Sequence, residues 1–204
     1  MVLDLKLIEY DKALEVQKGL FNGVRNGTVN SAIVFCRHYP VITLGRQAKS
    51  VNIKADQAEL ARRGITVRQS ERGGDVTYHG PGQLVVYPVV HLELFNKDIH
   101  YFLRTLEENV IALLSSFGIN AAARKGLTGV WVGEQKICSI GITVKNWISY
   151  HGLAINVSAN DLKNFSLIRP CGMDIKMTSM ETILKKEVSF SEVQKHFIKE
   201  YKYA

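Results

Sequence analysis

One glycine-rich segment carries most of the information in this sequence: Arg72-Gly73-Gly74-Asp75-Val76-Thr77-Tyr78-His79-Gly80-Pro81-Gly82-Gln83. It places four glycines and one proline between two predicted strands, Ile65–Arg68 and Leu84–Val90. Glycine lets a ligand approach the backbone closely, so the segment is predicted to present main-chain N–H groups at Gly73-Gly74. Further donors are the side chains of Arg72, Thr77 and His79. The segment is neither a Walker A loop nor a Rossmann fingerprint, and a long turn that needs glycine only for its geometry remains the alternative.

The rest of the chain is predicted to mix helices and strands without regular alternation. The clearest helix runs from about Asp98 to Phe117, where apolar residues recur at three- and four-residue steps. Val130–Val157 is rich in Val, Ile, Trp and Tyr, a composition typical of a β meander. Breaks in this meander are expected at Gly133-Glu134, Asn146 and Gly152.

Further elements extend this pattern on both sides. They are helices over Asp11–Asn26 and Ala55–Arg63, a strand over Ala32–Cys36, and a last helix that begins near Ser189, with Glu192 completing a capping box. The order of elements favours an α+β fold, in which a mixed sheet is flanked by helices. One domain over residues 1–204 is expected.

The composition is that of an ordinary globular protein, with 46% hydrophobic and 22% charged residues. No apolar run approaches the roughly 20 residues that span a bilayer, and the N-terminus lacks the features of a signal peptide. A cytoplasmic protein without a membrane partner is therefore expected. The net charge of +7 fits either charges spread over solvated faces or a docking face for an acidic partner. Motifs of nucleic-acid-binding proteins are missing, so no nucleic-acid partner is expected.

The three cysteines are odd in number and form no C-x-x-C motif, which argues against a disulfide framework and a zinc site. Cys138 lies in an apolar alternating run and is predicted to be a core residue; Cys36 is the weakest candidate for chemistry. Cys171 differs because it lies in a predicted loop, Pro170–Gly172, whose glycine leaves a backbone N–H free to face a developing oxyanion. Arg169 beside it would favour the thiolate.

Lys136 begins an apolar strand directly after a predicted turn. A lysine in such a position is usually a surface residue whose stem covers apolar neighbours. From its local context alone, Lys136 is therefore not distinguished from other surface lysines.

Taken together and in order, these segments resemble the lipoyl-pathway octanoyltransferases, the lipoate-protein ligase B family. The shared motifs are H-Y-P-V-I-T-L-G-R at His38–Arg46, R-G-G-D-V-T-Y-H-G-P-G-Q-L-V-V-Y at Arg72–Tyr87, G-E-Q-K-I-C-S-I-G at Gly133–Gly141, H-G-L-A-I-N at His151–Asn156 and R-P-C-G at Arg169–Gly172. The resemblance covers most of the chain from about residue 30 to 180. Cys138-Ser139 stand where small residues such as alanine are expected, and both are small.

The resemblance implies the fold of lipoate and biotin protein ligases, without ATP and without a cofactor or metal. It implies a catalytic pair at Cys171 and Lys136. It also implies an acyl-binding site lined by Arg72, Gly73, Gly74, Asp75, Val76, Thr77, Tyr78, His79, Ser139, Ile140, Gly141, His151, Gly152, Leu153 and Ala154. A purely structural role for His79 or His151 remains an alternative.

The reaction that the resemblance implies is a two-step acyl transfer. Octanoyl-acyl carrier protein donates its acyl group to Cys171, and a lysine of a lipoyl domain then takes it up as an amide. The acceptors would be the lipoyl domains of 2-oxoacid dehydrogenases or the glycine cleavage H protein. Acyl carrier proteins are acidic, which fits the basic net charge.

Three other functions remain compatible with the sequence. An ATP-dependent lipoate or octanoate ligase of the same fold would need a lysine near the phosphates but no nucleophilic cysteine. A non-catalytic module that binds acyl carrier protein would use Cys171 only structurally. An amidotransferase of the same fold would move octanoyl between carrier domains through cysteine.

Overall fold

The computed structural model describes residues 1–170 and 173–201, so Cys171 lies outside the described residues. The strands are β1 Val2–Ile8, β2 Ser31–His38, β3 Val41–Leu44, β4 Thr66–Gln69, β5 Val76–His79, β6 Gln83–Val90, β7 Ala122–Arg124, β8 Leu127–Val132, β9 Gln135–Lys145 and β10 Ile148–Asn156. The α-helices are α1 Tyr10–Arg25, α2 Gln57–Arg62, α3 Ile99–Ser116, α4 Met180–Leu184 and α5 Phe190–Glu200. Short 3-10 helices cover Ser50–Asn52, Leu92–Phe95 and Leu162–Leu167.

The strands form two mixed sheets. The larger one has the order β1-β2-β6-β10-β9-β8-β7, in which only β1 and β2 pair in parallel. The smaller one has the order β4-β3-β5, with β3 parallel to β4 and antiparallel to β5. This arrangement of mixed sheets and helices confirms the predicted α+β class.

The two faces of the larger sheet bury different helices because side chains alternate along each strand. On β10, Leu153 and Ile155 belong to the main core, together with residues of α3 and α5 such as Leu106 and Phe197. Ala154, between them in sequence, belongs to a second cluster with Ala13 of α1. Helices α3 and α5 thus cover one face, and α1 covers the other.

Most of the predicted elements are present, but three local predictions are wrong. Gly152 does not interrupt the meander and lies inside β10. The glycine-rich segment contains a strand, β5, in what was predicted as a continuous loop. Helix α5 does follow Ser189, but the predicted capping box is not formed, and the Ser189 hydroxyl contacts Ser191 instead.

Strands β1, β3 and β7 were not predicted from the sequence. None of the helices in residues 1–170 and 173–201 is both long and apolar enough to cross a lipid bilayer.

Gly152 is required by the close approach of β10 to β6. A Cβ atom at this position would lie 2.1 Å from the carbonyl oxygen of Val86, a backbone atom that cannot move aside. Gly152→Ala is therefore expected to lower the free energy of unfolding by about 3 kcal/mol through overpacking. Urea denaturation measures this loss.

The matched control is Gly19→Ala on α1, where nothing lies within 4 Å of the added Cβ. That substitution is expected to raise stability by about 0.5–1 kcal/mol, because alanine loses less backbone entropy in a helix. Equal effects of the two substitutions would contradict the packing explanation.

Candidate active site

Two adjoining cavities lie between β5 of the smaller sheet and β9–β10 of the larger one. The larger cavity has a volume of about 400 Å³, and the smaller about 50 Å³. The larger volume falls within the range of small-molecule pockets in proteins. The residues that line both cavities are Arg72, Thr77, Ser139, Ile140 and Gly141. These shared residues all belong to the predicted acyl site.

The Arg72–Asp75 segment connects the two sheets at this place. Its Gly73 N–H donates to the carbonyl of Ile142 on β9, at 2.8 Å. On the other side, the N–H groups of Arg46 and Gln47 donate to the carbonyls of Arg72 and Gly74, at 3.0 and 3.1 Å. The expected presentation of the Gly73 N–H to a ligand is therefore wrong, because that group holds the sheets together.

The Arg72 guanidinium lies buried at the junction of the two cavities. Its Nη2 donates to the Thr43 carbonyl at 2.6 Å, and its Nε donates to the Thr43 hydroxyl at 3.0 Å. Thr43 is fully buried on β3, so it fixes the cation from the smaller sheet. The smaller sheet thus places a positive charge beside the cavities.

The smaller cavity is lined by neutral imidazoles. His79 and His151 line it, and the Tyr10 ring lies parallel to both at centroid distances of 6.5 Å. Burial lowers the pKa of His151 to about 3 and holds that of His79 well below its ordinary value; Arg72 adds to both effects. Burial also lowers the pKa of the neighbouring His38 to about 4. These histidines are uncharged at neutral pH.

The two predicted histidines differ in what holds them. His79 Nδ1 contacts Gln83 Oε1 at 3.0 Å within its own segment, which fits the structural alternative. His151 has a left-handed φ of +58°, and its N–H donates to Gln17 Oε1 at 2.8 Å. Its buried Nε2 has no hydrogen-bond partner among the described residues. A non-glycine residue with such backbone strain is a recurrent feature of functional sites.

Lys136 lines the larger cavity near the start of β9. Its Nζ donates to the carbonyl of Thr128 at 2.8 Å and lies 5.3 Å from the centre of the Trp131 ring. The ammonium is therefore held at the cavity wall by strand β8, which carries both partners. This is not the environment of a solvated surface lysine.

The described chain on both sides of the Cys171-Gly172 pair borders the larger cavity. Pro170 and Met173 are themselves lining residues. The Arg169 N–H donates to the carbonyl of Asn52 at 2.8 Å, and the Lys136 N–H donates to the carbonyl of Lys176 at 2.8 Å. The Arg169 side chain, which was expected to favour a thiolate, is exposed and pairs with Asp174.

The two described cysteines are buried thiols. Burial raises the pKa of Cys138 to about 12 and raises that of Cys36 further. Cys138 belongs to the main core, as predicted. Neither thiol is poised to ionise at neutral pH.

The remaining predicted residues are divided between the cavities and the protein interior. Gly73, Gly74, Asp75 and Val76 line the larger cavity, whereas Gly152, Leu153 and Ala154 line the smaller one. Tyr78 lines neither, because alternation along β5 turns it away from Thr77 and His79. Its hydroxyl accepts a hydrogen bond from Asn164 Nδ2 at 2.9 Å.

Several site residues were not predicted from the sequence, notably Tyr10, Thr43, Tyr87 and Trp131. Thr43 lies in the His38–Arg46 motif, which was the only signal for it. Within the described part of the chain, no three His, Cys, Asp or Glu side chains are grouped as metal ligands.

Comparison with known proteins places these features in a family. Residues 9–202 match the family model of the lipoyl protein ligase A/B catalytic domain. The chain is 44% identical over 168 residues to the octanoyltransferase of Clostridium kluyveri, which covers 82% of this chain and 72% of that protein.

Two solved structures share the fold at low sequence identity. Lipoate-protein ligase A bound with ATP superposes with a TM-score of 0.76 at 17% identity, over 98% of this chain and 82% of that one. The biotin protein ligase of Aquifex aeolicus does so with a TM-score of 0.56 at 13% identity, over 98% and 67%. The predicted ligase-like fold is confirmed.

The neutral histidines predict how stability depends on pH. In the unfolded chain each imidazole takes up its proton near pH 6.5, whereas folded His38 and His151 do so only at about 4 and 3. Stability is therefore full above about pH 6.5 and falls as the pH drops towards the folded values. Each histidine contributes a slope of about 1.4 kcal/mol per pH unit in this window.

His151→Asn tests this dependence, because asparagine tolerates the left-handed φ at this position. The free energy of unfolding is measured by urea denaturation between about pH 4.5 and 6.5. Its slope against pH is expected to be smaller than in the wild-type protein by the contribution of one proton, about 1.4 kcal/mol per pH unit. Equal slopes would mean that His151 is protonated alike in both states.

Proposed function

The chain belongs to the lipoyl protein ligase A/B catalytic-domain family, and we propose that it is an octanoyltransferase whose acyl intermediate is a thioester of Cys171. The observation that carries this proposal is the placement of Lys136. Its ammonium lies at the wall of the larger cavity, which is also lined by Pro170 and Met173, the described neighbours of the Cys171-Gly172 pair. A lysine at a ligand-sized cavity whose lining includes the described residues before and after the Cys171-Gly172 pair suits acyl transfer through a covalent intermediate.

The first step exchanges one thioester for another. The Cys171 thiolate attacks the thioester carbonyl of octanoyl-acyl carrier protein. The carrier thiolate leaves as its carbon–sulfur bond breaks and takes up a proton from the Lys136 ammonium. Because the donor is already activated, the step needs no nucleotide. Arg72 and Lys136 place positive charge at the cavity wall, which stabilises a thiolate.

The second step moves the acyl group to nitrogen. The neutral ε-amine of the acceptor lysine attacks the Cys171 thioester, an amide forms, and the Cys171 sulfur leaves. The attacking amine must lose a proton, and Lys136, left neutral when it protonates the carrier thiolate in the first step, is the proposed residue that receives it. The acceptors are lipoyl domains, for example those of 2-oxoacid dehydrogenases or the glycine cleavage H protein.

The acyl chain is proposed to follow the residues that line both cavities. Ile140 and Gly141, together with Arg72, line the path from Lys136 towards Val85 and Leu153 in the smaller cavity. Burial of eight carbons contributes roughly 6 kcal/mol of gross binding free energy, at about 0.8 kcal/mol per carbon. The neutral histidines suit this path, since an apolar chain packed against a charged imidazole would remove the water that hydrates the charge.

The covalent intermediate is tested by incubating the protein with octanoyl-acyl carrier protein in the absence of an acceptor. Intact-mass spectrometry is expected to show one added octanoyl group, which hydroxylamine removes. Cys171→Ala is expected to abolish this adduct, whereas Cys138→Ala, which removes a buried core thiol, is expected to keep it. An unmodified wild-type protein would refute the mechanism, and transfer of free octanoate with ATP by Cys171→Ala would establish the ligase alternative.

The role of Lys136 is tested by Lys136→Ala. The variant is expected to fold but to lose about 10²–10⁴-fold in the rate of octanoyl transfer to a lipoyl domain, the usual contribution of a positioned acid–base group. Lys125→Ala, in the exposed turn between β7 and β8, is the matched control and is expected to keep the rate. A near-normal rate for Lys136→Ala would return this lysine to a structural role.

A further inference from the structure

One peptide unit connects Lys136 to a buried carboxylate. The carbonyl of Thr128 accepts the hydrogen bond from Lys136 Nζ at 2.8 Å. The N–H of the same peptide unit, that of Gly129, donates to Glu107 Oε1, also at 2.8 Å. The two hydrogen bonds therefore form a continuous chain from Glu107 through the Thr128–Gly129 peptide to the ammonium.

Glu107 is an unusual residue for its position. It lies on α3 among core residues such as Leu106 and Val110, and only 1% of its surface is exposed. Its second carboxylate oxygen pairs with Arg104, which lies one turn earlier on the helix. Burial of a carboxylate costs several kcal/mol unless hydrogen bonds compensate it. An apolar side chain would fill the same place in the core without that cost.

The geometry of the peptide is also fixed from the side of Lys136. Gly129 has a φ of +130°, and a Cβ atom there would lie 2.5 Å from Lys136 Cε and 3.0 Å from Nζ. The peptide and the lysine side chain are therefore packed directly against each other. A rotation of this peptide would displace the ammonium and remove its acceptor.

We propose that Glu107 is a positioning residue for Lys136 and acts on it through the Thr128–Gly129 peptide. The carboxylate lies at the positive end of the peptide dipole and the ammonium at its negative end. Glu107 thus orients the carbonyl towards Nζ and strengthens it as an acceptor, which favours the protonated form of Lys136. The inference rests on the proposed function only in that Lys136 is the proton-transferring residue of the reaction.

Other charged groups around Lys136 have different effects. Arg124 lies over the same Trp131 ring, 4.7 Å from its centre, and Arg72 lines the same cavity; both disfavour a second cation. Asp75 also lines this cavity, but its carboxylate accepts from Asn52 Nδ2 and from the Lys49 N–H. Cys138, two residues along β9, is a buried thiol. Glu107 is the carboxylate whose hydrogen bonds lead to Nζ.

The test is the pH at which Lys136 becomes reactive as an amine, measured by acetic anhydride labelling and peptide mass spectrometry. Glu107→Gln keeps an acceptor for the Gly129 N–H but removes the charge. It is expected to lower the apparent pKa of Lys136 by about 0.5–1 unit. The pH–rate profile of acyl transfer is expected to move by the same amount, with a loss of about tenfold in rate.

Two matched variants separate this role from a structural one. Glu108→Gln removes the same charge from the next, exposed position of α3 and is expected to leave the Lys136 titration unchanged. Arg104→Gln removes the ion pair of Glu107 but not its hydrogen bond to Gly129. Equal titrations of Lys136 in Glu107→Gln and Glu108→Gln would overturn the proposal. So would a downward shift in Arg104→Gln as large as that in Glu107→Gln.

A second variant keeps the test decisive if Glu107→Gln does not fold. Glu107→Asp retains the charge next to Arg104, but its shorter side chain withdraws the charge from Gly129. The pKa of Lys136 is therefore expected to fall in this variant as well. A Lys136 pKa equal to that of the wild-type protein would overturn the proposal. Labelling of Lys136 needs no acyl donor. A wild-type protein that forms no octanoyl adduct would therefore refute the proposed function without deciding the role of Glu107.

Discussion

The Arg72–Asp75 segment is hydrogen-bonded to both sheets and lines the cavities between them. Its carbonyls bind the N–H groups that follow β3, and its Gly73 N–H binds β9. Two sheets that meet only through side chains would be free to close on each other. Here a backbone connection keeps them at a fixed separation, with the Arg72 guanidinium tied to Thr43 at the junction. The glycines serve this close backbone approach first, and a ligand uses the space that it leaves.

The same segment is also connected by hydrogen bonds to the part of the chain that precedes Cys171. The Asp75 carboxylate accepts from Asn52, whose carbonyl in turn binds the Arg169 N–H. On the other side, the backbone of Lys136 pairs with Lys176 and with Thr178. The described chain before and after the Cys171-Gly172 pair is thus attached to elements that line the cavity. In the proposed acyl transfer, this attachment holds the described parts of the cavity wall in place before a substrate binds, and such positioning is a large source of rate.

The sequence predicted those features whose cause is local. Helix α3 was predicted because all of its signals lie in one continuous stretch of sequence: the spacing of its apolar residues, and Asp98 and Gly118 at its two ends. Gly152 was predicted as a break because the reason for a glycine there does not show in the local sequence. That reason is the nearby carbonyl of Val86, on a strand more than sixty residues earlier. Tyr78 was included in the site because a contiguous motif does not show the alternation of β5. Glu107 was not singled out, because its hydrogen-bond partner Gly129 belongs to β8. The residues next to Glu107 in the sequence therefore give no indication of a role.

The charges of the site follow from what burial allows. The imidazoles of His38, His79 and His151 lie around Tyr10 in the interior, and a proton on any of them would add a buried cation. Burial keeps all three neutral, and Arg72 adds to the effect on His79 and His151. The cations that line the cavities are Arg46, Arg72 and Lys136, and backbone carbonyls fix Arg72 and Lys136. In the proposed mechanism, a thiolate that forms at this site finds cations already in place, so the protein does not need to reorganise around it. An activated thioester donor requires little more, and a site built from hydrogen-bonded backbone and two fixed cations suits it.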